Sequence, residues 1–304
     1  MAAVGYGNAR LRRRRGRPYD QGRAAIPVAA THGVVHGHYP PTARGRHGAS
    51  SGIGLELARQ FAQGGFDLIV CAEDSAIHAA ASALTVDGCN AIPVQADLSR
   101  PEGVEHLWER VIQDPRPLEA IAINAGVGVG GDFAFDTSLE AELKMVALNC
   151  SSSVHLAKRA SHAMALKRSG RILFTSSIAA VLPAPFEAVY GATKAFLLSL
   201  SEALRNELAD HGVSVTALMP GPTETNFFHR AGMDDTRVGQ MDKDDPAEVA
   251  RAGYEALMDG KDKVVAGSFK NKLMAVGAKL MSQEAAAAQH RKLSEPGSGT
   301  PKTP

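Results

Sequence analysis

Residues 47–73 read HGASSGIGLELARQFAQGGFDLIVCAE, and this stretch decides the fold. Gly48, Gly52 and Gly54 permit a tight turn and a close backbone approach to a ligand. Leu55, Leu57, Ala58, Phe61 and Ala62 then mark one apolar face of a helix, which Gly64-Gly65 ends. Asp67 to Ala72 is a short apolar run that reads as a buried strand, with Glu73 at its end. In such a turn–helix–strand unit the helix N-terminus offers N–H donors and positive dipole to a pyrophosphate, here from Ser50, Ser51, Gly52 and Ile53. Glu73 comes nineteen residues after Gly54, where a carboxylate would take the hydroxyls of an adenosine ribose. An exposed loop acid is an equally good reading of Glu73. The Gly-x3-Gly-x-Gly spacing is not the commoner G-x-G-x-x-G and needs its context to be specific.

Upstream that context fails. A dinucleotide turn should follow a buried apolar strand, yet Tyr39–Arg46 holds two prolines and two arginines. The nearest apolar piece, Gly33-Val34-Val35, is short and far from the turn. The first strand is therefore expected to be missing, or its central slot to be filled by another segment. Residues 1–46 contain nine arginines, no lysine and one acid, Asp20. They read as a basic leader, either disordered or non-native to the fold. A transit peptide is a weaker reading, because no serine precedes Ser50. A nucleic-acid arm rests on charge alone. His32, His36, His38 and His47 have no cysteine or carboxylate cluster beside them, so no metal is expected.

Over all 304 residues the net charge is +1, which gives no case for nucleic acid as main partner. Hydrophobic residues make up 44% and charged residues 21%, ordinary values for a globular protein. Cys71, Cys89 and Cys150 are scattered and odd in number, which fits reduced thiols in the cytoplasm. No apolar run reaches the length of a membrane span.

From Glu73 on, helical and strand patterns alternate. Strands are expected at Ala91–Gln95, Leu118–Ile123, Arg171–Thr175, Val213–Leu218 and Lys263–Ala266. Helices are expected near 75–87, 101–113, 138–168 and 190–209, and from Pro246. With a first strand this makes an α/β fold, a single doubly wound Rossmann-type parallel sheet of about seven strands. Ligands sit at the carboxyl ends of such strands. Gly48–Gly54, Glu73, Asp97, Asn124-Ala125-Gly126, Ser177 and Pro220-Gly221-Pro222-Thr223 all fall there. Tyr190 and Lys194 lie four apart on one helix face, where an ammonium would lower the phenol's pKa and fit it for proton transfer. Ser177 would hold the reacting oxygen. Each residue also has a plain reading: Tyr190 as packing, Lys194 as a solvated charge, Asn149 as a satisfied core polar group, Asp97 as a helix cap.

Taken together, GASSGIG at 48–54, Asp97, NAG at 124–126, Asn149, Ser177, Tyr190-x-x-x-Lys194 and PGPTET at 220–225 resemble the short-chain dehydrogenase/reductase family over about residues 48–268. The resemblance implies NAD or NADP as cofactor and hydride transfer between it and a small alcohol or ketone. It implies Tyr190 as general acid/base, Lys194 as its pKa-lowering partner and ribose ligand, Ser177 as substrate positioner and Asn149 as holder of a relay water. It places Asp97 by the adenine, NAG beside the cofactor, and Thr223 or Thr225 at the nicotinamide amide or phosphates. It also implies a homodimer or homotetramer through the helices at 138–168 and 190–209. Glu73-Asp74 would repel a 2′-phosphate, which favours NAD. Residues 225–245 are expected as a lid, 47–294 as one catalytic domain and 295–304 as a disordered tail. The other functional readings are a non-catalytic dinucleotide-binding regulator and a chain compromised by loss of its first strand.

Overall fold

The computed structural model describes residues 27–30, 51–86, 89–267 and 281–299. The strands are β1 (Pro27–Ala30), β2 (Leu68–Ala72), β3 (Ala91–Gln95), β4 (Ala120–Ile123), β5 (Gly170–Thr175), β6 (Val213–Pro220) and β7 (Lys263–Ala266). They form one parallel sheet in the order β3-β2-β1-β4-β5-β6-β7. The helices are α1 (Gly52–Gln63), α2 (Ala76–Val86), α3 (Pro101–Ile112), α4 (Leu139–Val146), α5 (Ser152–Lys167), α6 (Ala188–Ala209), α7 (Phe227–Arg230), α8 (Arg237–Gln240), α9 (Pro246–Met258) and α10 (Gln283–Ser294).

The central slot is filled, and by a segment of the leader. Val28 of β1 is in register with Ile69 on β2 and with Ile121 on β4. Pro27 stands at the strand's first residue, a position that tolerates a missing N–H. Turn logic looks for the strand immediately before Gly48, so it misses a short run separated from the glycines by residues 31–47. Gly48 and Ser50 themselves, with the rest of 1–26 and 31–50, lie outside the described residues.

Period-2 alternation along the buried strands divides the core into two layers. On β2, Leu68, Val70 and Ala72 pack with α1, α2 and α9, while Ile69 and Cys71 pack with α3, α5 and α6. Each large side chain buried this way contributes about 1.5–3 kcal/mol. Phe61 of α1 anchors one layer, with the rings of Phe66 and Tyr254 edge-on at 5.7 and 5.1 Å. Strand order reverses at β1, which pairs with β2 on one side and β4 on the other, and this opens a crevice at their carboxyl ends.

Two regions differ from the sequence reading. The single helix expected over 138–168 is interrupted: between α4 and α5 lies a π-turn, Ala147–Ser151, with Asn149 in it. Residues 295–299, expected in a disordered tail, are hydrogen-bonded to the segment around α8. Gly297 N donates to Asp235 Oδ2 at 2.8 Å, and Gly299 N donates to the Asp235 carbonyl at 2.8 Å.

Candidate active site

β5 ends at Thr175, and the chain leaves the sheet through Ser176 and Ser177 into a 3-10 turn, Ile178–Val181. The Ser177 hydroxyl caps that turn: Oγ accepts from Ala179 N at 3.1 Å and donates to the Pro220 carbonyl at 3.4 Å. The cap bond fixes Oγ at the mouth of the crevice. α6 begins after Glu187 and carries Tyr190 and Lys194 on one face, both buried. Ser177 hydrogen-bonds the Tyr190 phenol. The Lys194 ammonium lies 5.7 Å from the Tyr190 ring centroid and donates to the Thr175 carbonyl at 3.0 Å.

Electrostatics depart from the expectation that Lys194 lowers the phenol's pKa. Burial pushes the Tyr190 phenol up, the Glu187 carboxylate pushes it further, and only the Ser177 hydrogen bond opposes them. The ammonium is turned to Thr175 rather than to the phenolic oxygen. Burial in turn brings Lys194 down to about 8. The phenol is therefore held in its protonated form at neutral pH.

Asn149 is fully buried, with three side-chain hydrogen bonds to protein groups. Oδ1 accepts from Val127 N at 3.0 Å, while Nδ2 donates to the Val127 carbonyl at 3.0 Å and to Thr193 Oγ1 at 2.9 Å. It thus ties the chain after Asn124-Ala125-Gly126 to α6. Asn124 does the same for the strand ends, its Oδ1 accepting from Thr175 Oγ1 at 2.8 Å.

A cavity of about 680 Å³ runs along these strand ends. Of the expected cofactor residues, it is lined by Ser51, Gly52, Ile53, Asn124, Gly126, Tyr190, Lys194, Pro220, Gly221, Thr223 and Thr225. Gly52 has φ +58, and a Cβ there would lie 2.9 Å from Thr225 Cγ2. A Cβ on Gly126 would lie 3.1 Å from Lys194 Nζ. Ser51 makes no side-chain bond to the first amides of α1, which leaves them to an anionic ligand.

Among the described residues, Gly54, Glu73, Asp97 and Ala125 are not part of the cavity wall. Gly54 and Ala125 are buried behind it. Glu73 follows β2, with its carboxylate 3.7 Å from Lys144 Nζ. Asp97 Oδ1 accepts from Ser99 N at 2.9 Å and Ser99 Oγ at 2.6 Å, capping the turn before α3. Among the described residues no three metal-ligating side chains cluster, and no helix is long and apolar enough to cross a membrane.

The sequence reading missed Thr175 and Thr193, whose partners Lys194 and Asn149 it did single out. It also missed Glu187, His290 and Ser294. Glu187 is buried between Tyr190 and α10, and its position three residues before Tyr190 was its one signal.

The model of the short chain dehydrogenase family matches residues 47–235. The chain belongs to the short-chain dehydrogenase family. "Probable oxidoreductase EphD" of Mycobacterium tuberculosis is 32% identical to this short-chain dehydrogenase over 222 residues, 69% of this chain. The match spans only 37% of that relative's length. "1-deoxy-11-beta-hydroxypentalenate dehydrogenase" of Streptomyces exfoliatus is 31% identical over 218 residues, 69% of this chain and 77% of its own. Among solved structures, a short-chain dehydrogenase from Sphingobium yanoikuyae in complex with NADPH superposes with a TM-score of 0.69 at 28% identity. That superposition covers 79% of this chain and 87% of the other.

Proposed function

We propose that this short-chain dehydrogenase is an NAD(P)-dependent oxidoreductase that interconverts a small alcohol and its ketone, with Tyr190 as general acid/base. The observation that carries the reading is the meeting of Ser177, Tyr190 and Lys194 in one cavity that is also lined by Ser51, Gly52 and Ile53 at the start of α1. The nicotinamide would supply or take the hydride. The chain's own groups do the rest. Ser177 and Tyr190 hold the substrate oxygen, and the phenol gives its proton to that oxygen as charge develops there. Lys194 places a positive charge beside the phenolate that is left. Asn149 keeps the floor around Gly126 in place through Val127 and Thr193. A phenol held protonated suits ketone reduction at neutral pH.

The cofactor would lie with its diphosphate over Ser51–Ile53 and Thr225, and with its nicotinamide ribose on Tyr190 and Lys194. Glu73 at the end of β2 supports NAD over NADP, through repulsion of a 2′-phosphate and hydrogen bonds to the ribose hydroxyls. The cited Sphingobium relative holds NADPH, and Lys144 beside Glu73 softens the repulsion, so the preference is a small one. Assembly into a homodimer or homotetramer in the cytoplasm belongs to the same reading. Exposed Leu139, Leu143, Leu166 and Phe196 on α4, α5 and α6 support a partner surface.

Calorimetric titration of the full chain with NADH and NADPH tests this. Saturable binding of both, NADH tighter, is expected. Binding of neither would overturn the reading.

A further inference from the structure

We propose that Glu187 is a positioning residue: through His290 and Ser294 it seats the C-terminal helix α10 as the outer wall of the substrate end of the cavity, and the seated helix selects ketones with an extended apolar body.

Both partners converge on one oxygen. Ser294 Oγ donates to Glu187 Oε2 at 2.8 Å, and His290 Nε2 lies 3.0 Å from the same atom. Ser294 Oγ is also 3.2 Å from His290 Nε2, which closes a three-membered cluster. Glu187 is 6% exposed and Ser294 2%. A carboxylate buried to this degree is costly without hydrogen-bond partners, and here both come from α10. Docking of the helix and burial of the carboxylate are therefore one event. Because Glu187 immediately precedes α6, the latch also sets the register of α10 against the helix that carries Tyr190 and Lys194.

The chain just past the C-terminal end of the helix is held as well. Arg237 N and Nε donate to Ser298 Oγ and to the Ser298 carbonyl at 3.1 and 3.0 Å, beside the Asp235 bonds. The helix lines the cavity with Ala286 and Leu293, alongside the polar Gln289, His290, Lys292 and Ser294. Leu293 packs on the cluster of Phe228, Ala231, Met233 and Val238. A carbonyl compound whose oxygen is held by Ser177 and Tyr190 would extend its carbon chain along this wall.

The proposal rests on the oxidoreductase reading for its substrate, so its test has one arm that does not. The full-length protein and its Glu187→Ala, His290→Ala, Ser294→Ala and Glu187→Gln variants are digested with trypsin, and cleavage at Arg291 and Lys292 is timed. The same proteins are assayed with NADH and NADPH on methyl ketones from 2-butanone to 2-undecanone.

Wild type should resist cleavage there, and its kcat/KM should rise roughly threefold to fourfold per buried methylene. The alanine variants should be cut at least about tenfold faster and lose the chain-length dependence through KM rather than kcat. Glu187→Gln keeps an acceptor for both partners and should retain resistance and slope. Ser294→Ala, which removes the hydroxyl but leaves His290 on Glu187, keeps the test readable if Glu187→Ala does not fold. Equal cleavage and equal slope in wild type and alanine variants would overturn the proposal, as would a Glu187→Gln variant as labile as Glu187→Ala. A wild type inactive on every ketone, with α10 still protected, would sink the oxidoreductase reading and leave the protease arm to judge the latch.

Discussion

Lys194 Nζ donates to the Thr175 carbonyl at 3.0 Å, so the buried ammonium is tied to the end of β5 rather than to the Tyr190 phenol. Burial brings its pKa down from 10.5 to about 8. The shift is downward, so the proton is held below that pH and lost as pH rises through it. Deprotonation removes the positive charge that lies 5.7 Å from the Tyr190 ring centroid and favours the developing phenolate at that range. Ketone reduction is therefore expected to fall about tenfold per pH unit on the alkaline side of that pKa. A profile of kcat/KM that stays flat across this range would contradict the assignment.

Glu187 stands three residues before Tyr190, and its carboxylate helps to hold the phenol protonated. Glu187→Gln removes that charge while keeping a hydrogen-bond acceptor. The phenol should then ionise at lower pH, so alcohol oxidation gains relative to reduction near neutral pH. The pH profile of oxidation should shift toward acid by several tenths of a unit to about one unit. An unmoved profile would mean that the carboxylate does not act on the phenol.

Asn149 satisfies both the N–H and the carbonyl of Val127. Asn149→Ala would strand both groups in the interior, at a cost of about 1–3 kcal/mol each. Thermal unfolding should show Tm lowered by roughly 5–10 °C. A Tm unchanged within error would show that water replaces the side chain.

Glu73 and Lys144 face each other at 3.7 Å beside the end of β2, both partly exposed. Glu73→Arg should favour NADPH over NADH by at least about tenfold relative to wild type, because a like charge is replaced by a phosphate partner. The ratio of the two dissociation constants checks this. No change in the ratio would place the adenosine ribose away from Glu73.

Much of this arrangement was legible in the chain itself. Ser177, Tyr190 and Lys194 are set by local structure: a strand end, a cap and a helical i,i+4 pair. Their meeting follows from the parallel topology that brings all strand ends to one edge. β1 was not legible, because a four-residue strand carries little periodicity and Pro27–Ala30 is separated by residues 31–51 from the helix it serves. The π-turn at Asn149 was not legible either, since one extra residue in a helix barely disturbs its apolar face. The Glu187–His290 contact joins residues 103 apart, and neither shows its partner in its own neighbourhood.

The central claim is that Tyr190 moves the proton during hydride exchange with a ketone. The most direct measurement is the rate of NADH or NADPH oxidation on the methyl-ketone series by wild type and by Tyr190→Phe, with cofactor affinity measured alongside. The account predicts turnover by wild type, a loss of roughly 10²–10⁴-fold in the variant, and cofactor affinity within about threefold. Turnover in Tyr190→Phe equal to that of wild type would contradict it.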